Sequence, residues 1–435
     1  MNHKSALTSL FGNQTLVAIL LIWLGSSFIL GGLSPVVVIA TALLLAFKKR
    51  YLELFIGFAF LLFVADSRQE IFVFAKNSRD VYAVIMTLCI VFDKQFPIYR
   101  KFYNYFLPFF LIAGLALFFS PTIVLGGLKT ISYLLIILIV PNFVIHIYEL
   151  YGSIFFKQLL SLGFVILTFG IILSFINPGF VHLGGRYNGL LGNPNGLGLF
   201  VLLITILFEI LYTNNKEEFI SQGRILFLGV ASISIILSGS RTALMGLIIF
   251  FVLRYTIRVS KALTFAAVVL AVAFIPLLMQ YLPVIIQELG LAEFARLDSL
   301  QDMSGRAVAF EFSWAQIQNN FWMGKGFGYS EFLFSQWKEY LSRLGHQGGT
   351  HNTYLTVWLD TGLFGILCFV GAWIGIFKQA FSVSSLALPV GCTVIFTTIF
   401  ESWLSASLNA FTIILLIIVT ILTIPHLSNE FEYEQ

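Results

Sequence analysis

Arg186, Arg241, Arg306, His351 and Glu401 each stand beside an apolar stretch of this chain. The guanidinium fork grips phosphate oxygens bidentately, which a lysine ammonium cannot do, so two arginines brought together make a diphosphate clamp. An imidazole can take a proton from an attacking hydroxyl or orient that hydroxyl by a hydrogen bond. His351-Asn352 stands directly before a hydrophobic span, and Ser238-Gly239-Ser240-Arg241-Thr242 joins two spans with almost no loop. The chemistry these types suggest is a phosphate clamp beside a group that can handle a hydroxyl proton.

The rest of the chain must position them, and it is built for lipid. Hydrophobic residues make up 58% of 435 and charged residues 11%, against about 25% charged in a soluble domain. The surplus predicts an all-α, polytopic transmembrane bundle. The 47 phenylalanines suit a lipid-exposed surface or a groove for an isoprenoid or acyl tail. A net charge of +4 is too small to imply nucleic acid. Cys89, Cys368 and Cys392 lie inside apolar runs, with no disulfide framework or metal-thiolate spacing. The apolar run from Leu16 is followed at once by another, which predicts an uncleaved first helix rather than a signal peptide.

Candidate spans begin near Gln14, Pro35, Tyr51, Val81, Tyr105, Ile131, Lys157, Leu190, Ile225, Thr242, Leu263, Asn352, Leu386 and Ser407. With about 20 apolar residues to a span, that predicts roughly 12 to 14 helices. Positive residues cluster in alternate loops: Lys48-Lys49-Arg50; Lys94, Arg100 and Lys101; Lys216 and Arg224; Arg254, Arg258 and Lys261; and Lys378. Positive loops stay in the cytoplasm, so both termini are predicted there. A long loop over 283–350 then falls on the external face, together with Arg186, Arg241, Arg306, His351 and Glu401. Charge asymmetry places them on one face without using their identity, and this coincidence points to a site.

Each feature has a plainer alternative. Gly184-Gly185-Arg186-Tyr187-Asn188-Gly189 and Gly192-Asn193-Pro194-Asn195-Gly196 predict irregular backbone, tolerated at membrane depth only against protein or a watered cavity. They form either a cavity wall with Arg186 aimed at an anion or a turn with a snorkelling arginine. Arg241 serves a site or binds lipid headgroups; an arginine at mid-membrane costs on the order of 3 kcal/mol and is usually functional there. Ser304 to Trp322 reads as a helix with Ser304 as N-cap and an apolar stripe of Phe310, Trp314, Ile317 and Phe321. It lies on the external interface or packs as a cap on the bundle. Arg306 in its first turn faces substrate, or pairs with Glu311 or with lipid. Gly324-Lys325-Gly326-Phe327-Gly328 lacks the strand and GK[ST] ending of a nucleotide loop, so it is a plain turn or a backbone cradle for an anion.

The ordered set Arg186…Gly192-Asn193-Pro194-Asn195, Ser240-Arg241, Gly305-Arg306…Trp314, Gly324-x-Gly-x-Gly, and His351-Asn352-x-Tyr354-Leu355…Gly362-x-x-Gly365 resembles the O-antigen ligase and polymerase (Wzy/WaaL-like) membrane family. The likeness runs from about residue 180 to about 375. One departure is Phe321, where the family often has proline before the glycine turn.

The resemblance implies a GT-C-type, metal-independent, inverting glycosyltransferase of the bacterial inner membrane, working at the periplasmic face without a cofactor. The donor would be an undecaprenyl-diphosphate-linked glycan. The acceptor would be a second glycan for a polymerase or lipid A-core for a ligase, in O-antigen, capsule or exopolysaccharide assembly. Membrane lipids and polysaccharide-assembly proteins would be its other partners. Carried over by motif, His351, Arg241 and Arg186 would be catalytic: the arginines on the diphosphate, His351 by the acceptor hydroxyl. Arg306, Asn195, Asn352, Tyr354 and Glu401 would contact substrate. The expected organisation is N-terminal transmembrane helices over 1–180, a ligase/polymerase-like core over 181–425, and a cytoplasmic tail over 426–435. The rival from another class is a lipid-linked oligosaccharide flippase, which predicts ionisable residues along a midplane path and pseudo-symmetric halves. A non-catalytic scaffold is the third.

Overall fold

In the computed structural model the chain is helical almost throughout. The structure describes residues 6–96, 98–214, 221–260, 262–264, 266–268, 270, 303–346 and 348–425. The start of the predicted external loop (283–302), most of the predicted span near Leu263, and the tail 426–435 lie outside these residues.

The N-terminal helices are α1 (Gln14–Leu30), α2 (Ser34–Phe47), α3 (Tyr51–Val64), α4 (Val73–Phe92), α5 (Lys101–Ala116), α6 (Ile123–Tyr151) and α7 (Ser153–Ile176). A four-residue α8 (Pro178–Val181) leads into a short antiparallel hairpin, β1 (His182–Leu183) and β2 (Arg186–Tyr187), with Leu183 opposite Arg186. The core continues with α9 (Pro194–Asn214), α10 (Ser221–Ser238), α11 (Arg241–Val259), α12 (Met303–Asn319), α13 (Tyr329–Gln336), α14 (Lys338–Arg343), α15 (Thr353–Val383), α16 (Ala387–Phe400) and α17 (Ala410–Thr423).

Seven helical runs among the described residues are long and apolar enough to cross a membrane, α1 and α2 counting as one run. The predicted spans near Tyr51, Ile225, Leu386 and Ser407 coincide with shorter apolar helices. The span predicted near Val81 starts earlier, at Val73, because Lys76, Arg79 and Asp80 are carried on the first turns of α4. Asparagine starts four of the described helices: Asn13, Asn193, Asn352 and Asn409 each accept a hydrogen bond from an amide of the first turn.

Helix α9 sits at the centre, buried on every side from Gly196 to Leu211, as expected of a helix apolar all round. It packs against α10, α11 and α17. Helix α1 is peripheral and buries only the stripe Leu16, Ile19, Leu20, Trp23 and Ser26. Lipid tails are as apolar as leucine, so close packing and internal polar contacts, not water exclusion, hold such helices together.

Helix α12 uses only part of the predicted stripe: Ile317 is buried and Phe321 packs against the same small core, while Trp314 is exposed. It spans Met303–Asn319 and also buries Ala309 and Ser313; the Ser304 side chain lies outside what the structure describes. The contact surface is set by the partner: Ala309 and Ile317 join Leu333, Phe334 and Leu359 in a small second core between α12, α13 and α15. The helix is thus a cap on the bundle.

The glycine turn after α12 does cradle an anion, and the anion is the protein's own. Gly328 N and Ser330 N donate to the two carboxylate oxygens of buried Asp360 at 2.7 and 2.6 Å, and Gly326 N donates to its carbonyl at 2.9 Å. At Phe321, the position of the missing proline, the carbonyl accepts from Leu363 N at 2.9 Å and Trp358 Nε1 at 3.1 Å. The turn is therefore clamped to α15. At that clamp Gly362 (φ 72°, ψ −175°) breaks the helix. A Cβ there would lie 2.3 Å from the Trp322 carbonyl oxygen. Gly362→Ala is expected to cost about 1–3 kcal/mol in backbone strain alone, with the clash added. It should lower the melting point of the detergent-solubilised protein by several degrees; an unchanged melting point would contradict this account of the break.

Candidate active site

The hairpin β1–β2 delivers Arg186 to the end of α10. Its Nε and Nη2 donate to the Ser238 carbonyl at 3.0 and 2.7 Å, and Nη2 also donates to Asn195 Oδ1 at 2.9 Å. Both acceptors are neutral, so these bonds aim the guanidinium without cancelling its charge. Burial pushes the neighbouring Tyr187 phenol above its ordinary value, which keeps that side chain neutral. Asn195 lies in the first turn of α9, just after the Asn193 side chain, which accepts from Gly196 N at 2.7 Å.

Asn195 passes the contact on. Its Nδ2 donates to Glu401 Oε1 at 3.1 Å. The same oxygen faces Arg306 Nη2 at 3.1 Å, and Oε2 faces His351 Nδ1 at 3.6 Å. One carboxylate at the end of α16 therefore joins α9, the first turn of α12 and the residue before the cap of α15. Its own position is fixed from behind, because Thr353 Oγ1 donates to the Glu401 carbonyl at 2.9 Å. Side-chain exposure is 12% for Glu401, 27% for His351 and 33% for Arg306, so the cluster reaches the surface. Among the described residues the carboxylate partner of Arg306 is Glu401 rather than Glu311.

Two backbone features prepare the imidazole. His351 has φ 48°, a left-handed conformation uncommon outside glycine. Gly348 leaves room for it, since a Cβ there would lie 2.9 Å from Nε2. Such a strained non-glycine residue beside a cluster of charges is often found at functional sites.

Arg241 is the first residue of α11 and is exposed. It lies three positions after Ser238, whose carbonyl Arg186 holds, so the two arginines share one turn of structure. The helix N-terminus adds its own partial positive charge there. Asn352 and Tyr354 are placed differently. Asn352 caps Leu355 N and donates to the Ile399 carbonyl, and the Tyr354 hydroxyl meets Thr398 Oγ1 at 3.1 Å. Both tie α15 to α16 and so hold His351 and Glu401 in register.

Sequence reasoning passed over Arg68. Its Nε donates to the Gly192 carbonyl at 2.8 Å, and Arg79 Nη1 donates to the Leu408 carbonyl at 2.9 Å, so the N-terminal half also braces this end of the bundle. A signal was present: Arg68, Lys76 and Arg79 follow α3, out of phase with the alternation of positive loops.

Residues 226–370 match the family model described as O-antigen ligase. The match supports an O-antigen ligase/polymerase-like family and, in general terms, glycan transfer of the ligase or polymerase type by a membrane protein. Arg241, Arg306 and His351 fall inside the matched stretch, while Arg186, Asn195 and Glu401 lie outside it and reach it through the contacts above. None of the curated proteins compared matches this chain.

Proposed function

Starting from a helical membrane protein whose central stretch matches the O-antigen ligase model, we propose that it transfers a polyprenyl-diphosphate-linked glycan to an acceptor hydroxyl at the periplasmic face of the bacterial inner membrane. The donor is undecaprenyl-linked. The segment 181–425 carries the reaction and the helices of 1–180 support it. The observation that carries the reading is the Glu401 carboxylate, which gathers His351, Arg306 and Asn195, with Arg186 held by the same asparagine.

In the proposed step the acceptor oxygen attacks the anomeric carbon from the side opposite the diphosphate, inverting its configuration. The new carbon–oxygen bond forms as the carbon–phosphate-oxygen bond breaks. The electron pair leaves on the polyprenyl diphosphate, where Arg186 and Arg241 meet the growing negative charge. Fixed guanidinium groups in place of water, rather than a metal ion, supply this stabilisation. The acceptor proton goes to His351, and Glu401 steadies the imidazolium that results. Arg306 keeps Glu401 charged and in place. The energy is already stored in the activated donor, so no nucleotide is consumed.

The purified full chain is to be incubated with lipid-linked repeat units, with and without lipid A-core. Elongated glycan without core identifies a polymerase, and transfer to core alone identifies a ligase. Donor that crosses the bilayer of proteoliposomes with no new glycosidic bond would favour the flippase alternative. No product under conditions where a known enzyme works would refute the proposal.

A further inference from the structure

Helices α9, α10 and α11 carry a second polar cluster at their other ends. Asn195 to Glu209 along α9 is about 20 Å at 1.5 Å per residue, so this cluster lies far from Glu401. Helix α11 runs in the same direction from Arg241 to Arg254 and Arg258, and α10 runs back from Arg224 to Ser238. Alternating charge predicts that this end faces the cytoplasm.

Glu209 is fully buried there. Arg224 grips it with two bonds, Nε to Oε1 at 2.8 Å and Nη2 to Oε2 at 3.0 Å, and Arg254 Nη1 pairs with Oε2 as well. Arg254 Nη2 donates to Thr213 Oγ1 at 2.7 Å, and Arg258 Nη2 approaches the same hydroxyl at 3.5 Å. The Arg224 guanidinium lies over the Tyr212 ring, 4.6 Å from its centroid. Arg224, Arg254, Arg258, Tyr212, Thr213 and Tyr255 line a recess of about 420 Å3, within the roughly 300–1,000 Å3 of small-molecule sites.

Among the described residues two guanidinium groups pair with the one carboxylate here, and a third, that of Arg258, stands at the Thr213 hydroxyl. An ion pair that served only to join α9 to its neighbours needs one arginine, and Arg224 already engages both oxygens. Arg254 is 7% exposed, and its buried Nε has no hydrogen-bond partner among the described residues. A buried donor without an acceptor is costly and calls for a missing partner. The surplus of guanidinium groups over described carboxylates and the recess that they line ask for an anion with several oxygens. Tyr255, 70% exposed, and Tyr212 place aromatic rings at this end, as at a membrane–water boundary.

We propose that this recess binds a phosphate group at the membrane surface opposite the transfer site, held by Arg224, Arg254 and Arg258 with the Thr213 hydroxyl. The phosphate belongs to an anionic lipid headgroup or to free phosphate, and the experiment separates the two. The full chain is reconstituted into nanodiscs of phosphatidylcholine alone or with phosphatidylglycerol. Lipid retained on the protein is read by native mass spectrometry, and the melting point is followed as inorganic phosphate replaces chloride at constant ionic strength. Retention of phosphatidylglycerol at least tenfold over phosphatidylcholine identifies a headgroup. A melting point raised by phosphate in phosphatidylcholine discs identifies the free ion. Arg258→Gln does not disturb Glu209 and is expected to abolish the preference while melting normally in phosphatidylcholine. Arg224→Gln, with Arg254 still on Glu209, should weaken it too. The proposal is overturned if neither probe binds, if Arg258→Gln binds like wild type, or if Lys378→Gln, removing a cation predicted on the same membrane face, causes an equal loss.

Discussion

His351→Ala is expected to lower glycan transfer by about 100- to 10,000-fold, the range for loss of a positioned general base, with the protein at its normal level in the membrane. The imidazole is set up from three sides: Glu401 Oε2 stands 3.6 Å from Nδ1, Gly348 leaves space at Nε2, and the capped start of α15 follows directly. At 3.6 Å the pair with Glu401 is just longer than a hydrogen bond, and such contacts commonly tighten only when substrate is bound. The substitution leaves the cap of α15 in place, because that cap belongs to Asn352. His351→Gln separates two roles. Glutamine can orient an acceptor hydroxyl and cannot take its proton, so substantial activity in that variant assigns His351 to positioning, and inactivity assigns it to proton transfer. Near-normal transfer by His351→Ala would refute both.

Arg241→Ala should cost about 100- to 1,000-fold, comparable with losing one donor to a developing negative charge, and mostly in kcat rather than KM. The reason is timing. The donor diphosphate is already charged when it binds, but the bridging oxygen gains charge only as the glycosidic bond breaks. A contact that strengthens at that moment speeds the reaction rather than merely tightening binding. Arg241 is well placed for this, exposed at the first turn of α11, with the preceding turn pinned by Arg186 on Ser238. Arg241→Lys keeps the charge and loses the fork, so it should fall between wild type and alanine. An unchanged kcat in the alanine variant, with glycan assembly intact in cells, would favour a headgroup-binding arginine.

The sign of Glu401 raises an electrostatic question. A carboxylate beside a diphosphate repels it, and the arrangement works only if that charge is balanced locally. Oε1 meets Arg306 and the Asn195 amide, which leaves Oε2 directed at His351. In the proposed reaction Arg186 and Arg241 would face the donor, and the acceptor would meet an imidazole steadied by a neutralised carboxylate. Such a division would let one site hold an anionic donor and still withdraw a proton from the acceptor.

Composition alone determined that this is a helical membrane protein, because 11% charge over 435 residues leaves hydrocarbon as the only suitable surroundings for most of the chain. Helix-end positions also put Arg186, Arg241, Arg306, His351 and Glu401 in view, since an ionisable group at the edge of an apolar run is legible locally. Packing decided what those groups meet. Arg306 chose Glu401, 95 positions away, over Glu311 on its own helix. The glycine turn found Asp360, and α12 buried Ala309 and Ser313 beside Ile317 and left Trp314 exposed. Helical periodicity records the faces of a single helix, whereas an ion pair between helices depends on how they dock, and that geometry arises only when the bundle closes around α9.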